Sequence, residues 1–411
     1  MALQRGDASP SSKITLPPLI VASPVRLLCR IGQPMPEPSR MAAFRDRPIR
    51  VLLTTPLMSR PGGVAQYLRI LQPYLQDQVQ YFTIGSRSEG ERFDRAIWRV
   101  VQDSWRFART LRQGAFDIVH LNPSIGPKAL LRDGVLLMIA KALGKAVLVF
   151  VHGWDDAYGR ALSTRLPGLF RLVYGRADAF IVLGDEFRKR LRLLGYDRSV
   201  FVQGAPVDDE LLDNCQQECV PKGAGGSRLQ FHILFLARLE KEKGIYEALE
   251  TYRLLKQKYP PVSLIIAGAG SQLSGAIRYV SDQGLTDVSF TGYVERTAKD
   301  QVFRTADAYL FPSYSEGLPI SVLEAMACGL PIVTSAVGGL RDFFQDGMMG
   351  FATESRNPEV LASLLSRLIC DPSLCSRISS YNRNYARDHF RGPQVATGIE
   401  GVYRFLLESA N

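Results

Sequence analysis

Two glutamates, Glu316 and Glu324, carry the clearest chemical signal in this sequence. Glu316 stands in a predicted loop after a strand, and Pro319 marks the start of the helix that follows. Glu324 falls among apolar residues of that helix, where an unpaired carboxylate would be costly to bury. This setting favours a carboxylate that binds hydroxyl groups, such as those of a ribose, over an exposed helix glutamate. Glu316, at the loop tip, would face a phosphate and sugar over the same helix N-terminus.

Two cations follow a predicted strand in the same half of the chain. Arg238 and Lys243 lie in the segment ARLEKEKG, directly after an apolar run. Fixed cations at the carboxyl end of a strand can neutralise a diphosphate leaving group. The competing interpretation is a basic loop that Glu240 and Glu242 neutralise locally. Since no Asp-x-Asp follows a strand, we predict a diphosphate site that uses no metal ion and no other cofactor.

Two features place polar groups at predicted strand ends in the first half of the chain. The Gly62-Gly63 turn opens a helix, so its backbone could approach a phosphate closely, although such turns are also common without a ligand. His152 follows the apolar run 146–151 and could hydrogen-bond a sugar hydroxyl or stabilise charge during transfer. His120 ends another strand and is the weaker candidate.

The elements that would position these residues are apolar runs separated by helical stretches, which is typical of β-α-β units. We predict strands at 50–54, 117–121, 146–151, 179–182 and 199–202, and again at 231–236, 263–267, 288–290, 308–311 and 331–334. Helices are predicted at 64–75, 245–258 and 320–327, with further helices from about 372 to 409. The predicted fold class is α/β, with two tandem Rossmann-like domains that face a central cleft.

Composition sets the predicted domain boundaries. Residues 1–46 are rich in Pro, Ser and Arg without periodicity, and we predict a disordered N-terminal extension there. An acceptor-side domain is predicted at 47–220, a Gly-rich linker at 221–228 and a nucleotide-sugar-binding domain at 229–385. Residues 386–411 are predicted to form a helix that packs back on the first domain.

The charge balance is basic, with 50 Lys and Arg against 40 Asp and Glu and a net charge of +10. Such a surplus suits a partner that carries phosphates, and no recognition pattern for nucleic acid accompanies it. The basic segment Arg188–Arg192 is the predicted place of peripheral contact with an anionic membrane. Lys141 and Lys145 interrupt the most apolar stretch, which therefore does not predict a membrane span.

The six cysteines are scattered along the chain, and no secretory signal is evident. This pattern predicts reduced thiols and a cytoplasmic protein, with possible attachment at the inner face of the membrane. Cys215 and Cys219 could pair or bind a metal, but two thiols in a loop more often do neither.

Taken together, the motifs resemble those of the retaining glycosyltransferases of family 4, which have the GT-B fold. That family includes bacterial polysaccharide, lipopolysaccharide and phosphatidylinositol mannosyl transferases. The likeness extends from about Arg50 to the C-terminus. It depends on the Glu316-x7-Glu324 motif with its trailing Ala-Met-Ala-Cys-Gly-Leu-Pro, on the Arg238 to Lys243 segment and on His152-Gly.

The resemblance implies roles for the matching side chains. Arg238 and Lys243 would bind the donor diphosphate, and Glu324 would bind the ribose hydroxyls. Glu316 would contact the donor sugar near the reacting carbon, and His152 would meet the donor sugar or the transfer site.

The resemblance also implies roles for backbone groups. The amides of Gly317 and Leu318 would lie close to the sugar and phosphate, and Gly63 would approach the phosphate from the first domain. The backbone near Tyr293 is similar to the nucleobase-binding segment. At two positions the chain departs from the family: Ala237 stands where a Gly is common before the Arg, and Asp342 stands where a Glu is common, which leaves the role of that carboxylate open.

The predicted activity is transfer of a hexose from a nucleotide-diphosphate sugar to a glycan or lipid-linked acceptor, in polysaccharide, lipopolysaccharide or glycolipid synthesis. The resemblance implies retention of anomeric configuration without a metal, by front-face attack with the leaving phosphate as base. Two alternatives keep the fold: a catalytically silent scaffold that binds nucleotide sugar, and a sugar-nucleotide 2-epimerase. The intact cations and glutamates argue against the first, and the Glu-x7-Glu motif argues against the second.

Overall fold

The structure is a computed structural model that describes residues 48–59, 62–75, 79–85, 93–217 and 230–409. The predicted N-terminal extension at 1–46 and the predicted linker at 221–228 lie outside these residues.

The first domain comprises the elements that precede residue 218. In chain order they are β1 (Val51–Thr55), α1 (Gly63–Leu71), β2 (Val79–Thr83), α2 (Phe93–Gln113), β3 (Ile118–Leu121), β4 (Ser124–Ile125), α3 (Pro127–Ala142), β5 (Ala146–Val151), β6 (Gly153–Trp154), α4 (Asp156–Arg165), α5 (Pro167–Tyr174), β7 (Ala179–Val182), α6 (Asp185–Leu193), β8 (Ser199–Val202) and α7 (Asp209–Gln217).

The second domain follows from residue 230. Its elements are β9 (Phe231–Leu236), a 3-10 turn (Lys241–Lys243), α8 (Ile245–Lys258), β10 (Val262–Ala267), α9 (Leu273–Asp282), β11 (Val288–Gly292), α10 (Arg296–Thr305), β12 (Ala308–Phe311), α11 (Ile320–Ala327), β13 (Ile332–Ser335), α12 (Leu340–Phe343), β14 (Gly350–Thr353), α13 (Pro358–Cys370) and α14 (Pro372–His389). A last helix, α15 (Gly392–Ser409), returns to the first domain.

Each domain is built on a parallel sheet of six strands among the described residues. The strand orders are β2-β1-β3-β5-β7-β8 and β11-β10-β9-β12-β13-β14. The ladders run in parallel register, for example Ile118 with Ala146 in the first sheet and Tyr309 with Ile332 in the second. Parallel strands in one sheet align their carboxyl ends at one edge, which is where ligands bind in this architecture.

The central strands are apolar runs because both faces of each sheet are covered by helices. In β5, every residue from Val147 to Val151 is buried, and β10 and β12 are buried throughout. One face of the first sheet packs against α2 to α6. The other face packs against α1 and α15, whose Tyr403 hydroxyl lies 2.7 Å from His120 Nδ1.

The predicted α/β fold class with two parallel sheets is confirmed. The predicted bounds at 146–151, 179–182, 199–202, 231–236 and 308–311 match those of the strands observed there. Four strands were not predicted: β2 and β14, each an outermost strand of its six-stranded sheet, and the two-residue strands β4 and β6, which pair with each other. In β2 most residues are only half-buried, and β14 is short and begins at a glycine, so neither gives a strong apolar signal.

One prediction about the cysteines is wrong. Cys215, in α7, forms a disulfide with Cys328, at the end of α11, and their Cα atoms are 4.9 Å apart. The pair is separated by 113 residues in sequence, and it meets because α7 packs against α11. Thus Cys215 does not pair with Cys219, which lies outside the described residues, while Cys370 and Cys375 are free thiols. The argument from reduced thiols to a cytoplasmic location does not hold for this pair.

Candidate functional site

Glu316 and Lys243 meet at the carboxyl ends of strands in the second domain. Lys243 Nζ lies 2.5 Å from Glu316 Oε1, and the Ser313 hydroxyl donates to the same oxygen at 2.9 Å. The contact forms because the loop after β12 packs on the 3-10 turn, where the Tyr314 amide donates to the Glu242 carbonyl at 2.9 Å. Both charged side chains are mostly buried, so Glu316 is fixed at one position in the cleft.

Glu324 is buried in α11 and is not an exposed helix glutamate. Its carboxylate accepts hydrogen bonds from Lys299 Nζ at 2.5 Å and from Gln66 Nε2 at 2.7 Å. Burial raises the pKa of Glu324, and the Lys299 cation opposes that shift. Gln66 belongs to α1, so this carboxylate binds side chains from both domains. Both contacts are made to the same carboxylate oxygen, Oε1.

Arg238 follows β9 and is exposed. Neither nearby glutamate neutralises it by an ion pair, because Glu240 instead accepts hydrogen bonds from the amide and hydroxyl of Ser271. Among the described residues, no hydrogen bond or ion pair engages the Arg238 guanidinium. It is therefore free to bind an anion, whereas Lys243 already contacts Glu316.

His152 is held as a neutral imidazole of defined tautomer. Asn122 Nδ2 donates to the Thr54 carbonyl at 2.9 Å, so Asn122 Oδ1 faces His152 Nε2 and accepts a hydrogen bond from it at 2.8 Å. The ring stacks on Phe150 with centroids 4.0 Å apart, and burial lowers the pKa of His152 to about 3. At neutral pH, Nδ1 thus carries a lone pair that can accept from a hydroxyl. Of the two predicted roles, this favours hydrogen bonding over stabilising negative charge.

The Gly62-Gly63 turn opens α1 with unobstructed backbone. A Cβ added at either glycine would meet no atom within 4 Å, and no side chain caps the helix. Gln66, one turn further along, reaches Glu324, which places the start of α1 at the cleft. Free amides at a helix N-terminus favour an anion.

Gly317 lies where the two domains touch. A Cβ at this position would be 2.5 Å from the His152 carbonyl oxygen, so the two backbones approach closely across the cleft. The Gly317 carbonyl accepts from the Gly339 amide at 2.7 Å, and Leu318 is buried directly behind it. The structure therefore brings Gly317 and Leu318 together with His152.

Tyr293 stands apart from this group. Its side chain is more than half exposed, and its hydroxyl donates to Glu295 at 2.8 Å. Its pKa is raised by burial of the hydroxyl first and by Glu295 second, with a smaller contribution from Glu324. Among the described residues, the hydrogen bond to Glu295 is the contact that orients the Tyr293 side chain.

Asp342 links the two domains. Its Oδ2 accepts from the backbone amide of Asp185 at 2.7 Å, at the first residue of α6. Burial raises the pKa of Asp342, and the hydrogen bond from Asp185 opposes that shift. The carboxylate that departs from the family pattern therefore caps a helix of the opposite domain.

Four polar residues of this site were not predicted from the sequence: Asn122, Gln66, Lys299 and Ser313. Asn122 follows β3 as His152 follows β5, and this position after a strand is a signal that could have revealed it. Gln66 and Lys299 lie on helices with no motif around them. Their contacts with Glu324 are hydrogen bonds that reach α11 from α1 and from α10.

Two family models match the sequence. The model of "Glycosyl transferases group 1" matches residues 228–385, and that of the "Glycosyl transferase 4-like domain" matches residues 24–203.

Curated relatives include a D-inositol 3-phosphate glycosyltransferase of Frankia alni, 30% identical over 81% of this chain and 85% of that protein. A phosphatidyl-myo-inositol mannosyltransferase of Mycobacterium leprae is 27% identical over 74% of this chain and 78% of its own. A glycogen synthase of Mycobacterium tuberculosis is 31% identical, but the match spans only 42% of the length of either protein.

Solved structures share the fold at low sequence identity. HepE of Anabaena, in complex with UDP and glucose, superposes with a TM-score of 0.67 at 18% identity, over 87% of this chain and 99% of that one. Sucrose-phosphate synthase of Thermosynechococcus elongatus gives a TM-score of 0.68 at 17% identity, over 88% of this chain and 100% of that one.

Proposed function

Because this chain belongs to the group 1 glycosyltransferases of family 4, we propose that it moves a hexose from a nucleotide-diphosphate sugar to a glycan or lipid-linked acceptor. The observation that carries the proposal is the convergence of Glu316, Lys243 and His152 on one cleft between the domains. HepE, a structural neighbour, binds UDP and glucose in its crystals. Participation in polysaccharide, lipopolysaccharide or glycolipid synthesis belongs to the same proposal.

The donor would be bound along the cleft in three parts. Arg238 and Lys243 would neutralise the diphosphate, and the open amides at Gly63 would approach it from the other domain. The ribose hydroxyls would donate hydrogen bonds to the Glu324 carboxylate. The base would lie toward the backbone at Tyr293.

The reaction would be a transfer with retention of configuration. The acceptor hydroxyl would attack the anomeric carbon from the face that the diphosphate leaves, and its proton would pass to the departing phosphate oxygen. Glu316 would orient the sugar near the reacting carbon, and His152 Nδ1 would accept from a sugar hydroxyl. In this scheme Arg238 and Lys243 supply the positive charge that the leaving group requires, so no metal ion is proposed.

The donor site can be tested by thermal unfolding with UDP, GDP, ADP and CMP, each with and without EDTA. A ligand at 100 times its dissociation constant adds about 2.7 kcal/mol to the free energy of unfolding, which would raise the melting temperature measurably. We expect one nucleoside diphosphate to stabilise the protein, EDTA to leave the effect unchanged, and Arg238→Met to abolish it.

Transfer itself is then measured with the sugar conjugate of that nucleotide, and NMR of the product reports its anomeric configuration. Stabilisation without any transfer or donor hydrolysis would favour the silent scaffold. An inverted product, or release of an epimerised free sugar, would contradict the proposed reaction.

A further inference from the structure

An unpartnered apolar face lies on the outer side of the first domain. Its residues are Trp98 and Trp105 with Val101 on α2, Leu131 on α3, and Leu169 and Leu172 on α5. We refer to these six as the outer apolar face. Trp98 and Trp105 are 64% and 63% exposed, and Leu131 is 74% exposed. Most large apolar side chains that are exposed among the described residues lie in this helical layer of the first domain.

The six residues lie on three helices that are neighbours on one side of the first sheet. In α2, Trp98, Val101 and Trp105 repeat at helical spacing, while Asp103 and Phe107 on the opposite side are buried. Helix α3 packs between α2 and α5. Contact between α3 and α5 is close, since a Cβ at Gly134 would lie 3.1 Å from Val173. Large apolar side chains exposed together on neighbouring helices point to an interaction site.

Basic side chains continue the same surface. Arg109 and Arg112 extend the tryptophan stripe along α2, and the Arg109 guanidinium lies 5.5 Å from the Trp105 ring centroid. Lys128 precedes Leu131 by nearly one turn on α3. Among the described residues, no carboxylate forms an ion pair with these three cations. Exposed indole rings with free arginine and lysine fit the interface of an anionic bilayer, where the rings lie at headgroup depth.

The basic segment that the sequence suggested for this contact is engaged elsewhere. Arg188 and Lys189 both pair with Asp185, and Arg190 pairs with Asp156 and Glu186. Arg192 donates to the Tyr196 carbonyl at 2.9 Å. These cations are therefore largely engaged within α6 and its surroundings. Helices α2 and α3 offer a better surface for contact with an anionic membrane.

We infer that the outer apolar face docks the protein peripherally on an anionic lipid bilayer. The inference goes beyond the proposed function, because the surface is separate from the donor site and its test involves no transfer. A symmetric pairing of two copies is disfavoured, since it would bring Arg109, Arg112 and Lys128 of both copies together. Within the described ranges, none of the helices combines the length and apolarity needed to cross a bilayer.

The orientation that results suits an acceptor held in the membrane. Helix α2 follows β2 of the six-stranded sheet, and α3 follows β3 of that sheet after the short strand β4, so both begin at the edge where the strands end and the cleft opens. Trp98 and Leu131 lie near those helix starts. A bilayer on the outer apolar face would therefore border the cleft, where a lipid-linked acceptor could enter.

The test is co-sedimentation with vesicles of phosphatidylglycerol and phosphatidylcholine, and with vesicles of phosphatidylcholine alone. We expect binding to the anionic vesicles at low salt, weakened at high salt. The double variant Trp98→Ser/Trp105→Ser should bind roughly tenfold or more weakly. The charge variant Arg109→Glu/Arg112→Glu should also bind more weakly. The control variants Ile277→Ser and Arg278→Glu carry matched changes on α9 of the second domain. They should bind anionic vesicles as the wild type does.

Two further measurements complete the test. Emission of Trp98 and Trp105 should shift to shorter wavelength when anionic vesicles are added, and thermal unfolding should show that all variants retain the fold. The inference is overturned if the wild type does not bind anionic vesicles, or if the double tryptophan variant binds them as well as the wild type. It is also overturned if sedimentation velocity reveals a dimer that Trp98→Ser/Trp105→Ser dissociates, since a second copy would then occupy this face.

Discussion

Glu316 and Lys243 neutralise one another within the cleft. Lys243 Nζ lies 2.5 Å from Glu316 Oε1, and the Ser313 hydroxyl contacts the same oxygen. A diphosphate that approaches Lys243 must share this cation with Glu316. Each charged group is therefore expected to set the position of the other, and loss of either should affect the reacting sugar as well as the phosphate.

Substitution of either residue should reduce transfer. Glu316→Gln and Lys243→Met each remove one charge from a group proposed to contact the donor in the transition state. We expect kcat/KM to fall by roughly 100-fold or more in each variant. Steady-state kinetics with the donor identified by thermal unfolding measure the effect. Glu359→Gln, an exposed glutamate at the start of α13, is the matched control. Turnover close to that of the wild type in both variants would contradict the proposed roles.

For individual residues, the sequence predicts where a functional side chain lies better than it predicts which side chains contact it. The burial of Glu324 follows from the apolar residues around it in α11, and the strand-end position of His152 follows from the run that precedes it. The hydrogen bonds that hold the Glu324 carboxylate and the His152 ring come from distant segments of the chain. Lys299 donates to Glu324 from α10, and Asn122 fixes the His152 tautomer from the end of β3. No local pattern specifies those distances, because they depend on how the helices pack.

Helices α7 and α11 are joined by the disulfide between Cys215 and Cys328. Because α11 carries Glu324, the bond also fixes the helix that presents this carboxylate. A crosslink stabilises a fold chiefly by restricting the unfolded chain, and the closed loop here spans a separation of 113 residues.

Reduction of this bond should lower the free energy of unfolding by about 2–4 kcal/mol. Thermal or urea unfolding with and without dithiothreitol measures the change, and Cys328→Ser should reproduce it without reductant. Cys375→Ser removes a free thiol and serves as the control. If alkylation under native, non-reducing conditions followed by mass spectrometry labels both Cys215 and Cys328, the bond is absent and the prediction fails.

Central strands with long apolar runs are among the elements that were predicted well. Strands β5 and β9 gave continuous apolar runs, and their bounds match the structure. Strands β2 and β14 gave no such run, because most residues of β2 are only half-buried and β14 is short and begins at a glycine. The pairing of α7 with α11 was also not predicted, since helix packing against a distant partner leaves no periodic signal of its own.

The two domains meet through glycines. A Cβ on Gly339 would lie 2.1 Å from the Leu183 carbonyl oxygen, and one on Gly184 would lie 2.8 Å from Gly339 Cα. Asp342 adds a hydrogen bond from the second domain to the start of α6. The contact at Gly184 and Gly339 is made by backbone atoms of both domains. A side-chain atom added at either glycine would therefore push the domains apart.

Gly339→Ala should therefore open the molecule. The added methyl group would push Leu183 away, so we expect a larger radius of gyration in small-angle scattering and a lower rate of transfer. Gly339 has an ordinary helical φ of −65°, so the substitution introduces no backbone strain of its own. Gly401→Ala, at an exposed helical position with no atom near the added methyl, is the control. An unchanged radius together with unchanged transfer would show that the glycine contact does not set the domain arrangement.

The position of helix α15 at the end of the chain affects the order in which the two domains can complete folding. It supplies Val402, Tyr403 and Leu406 to the core beneath the first sheet, although it is encoded after the whole second domain. While the nascent chain grows, that side of the first sheet has no cover, and His120 has no Tyr403 beside it. Domains usually complete folding in the order of synthesis. Here the domain that is translated first must be the last to finish, once residues 392–409 have left the ribosome.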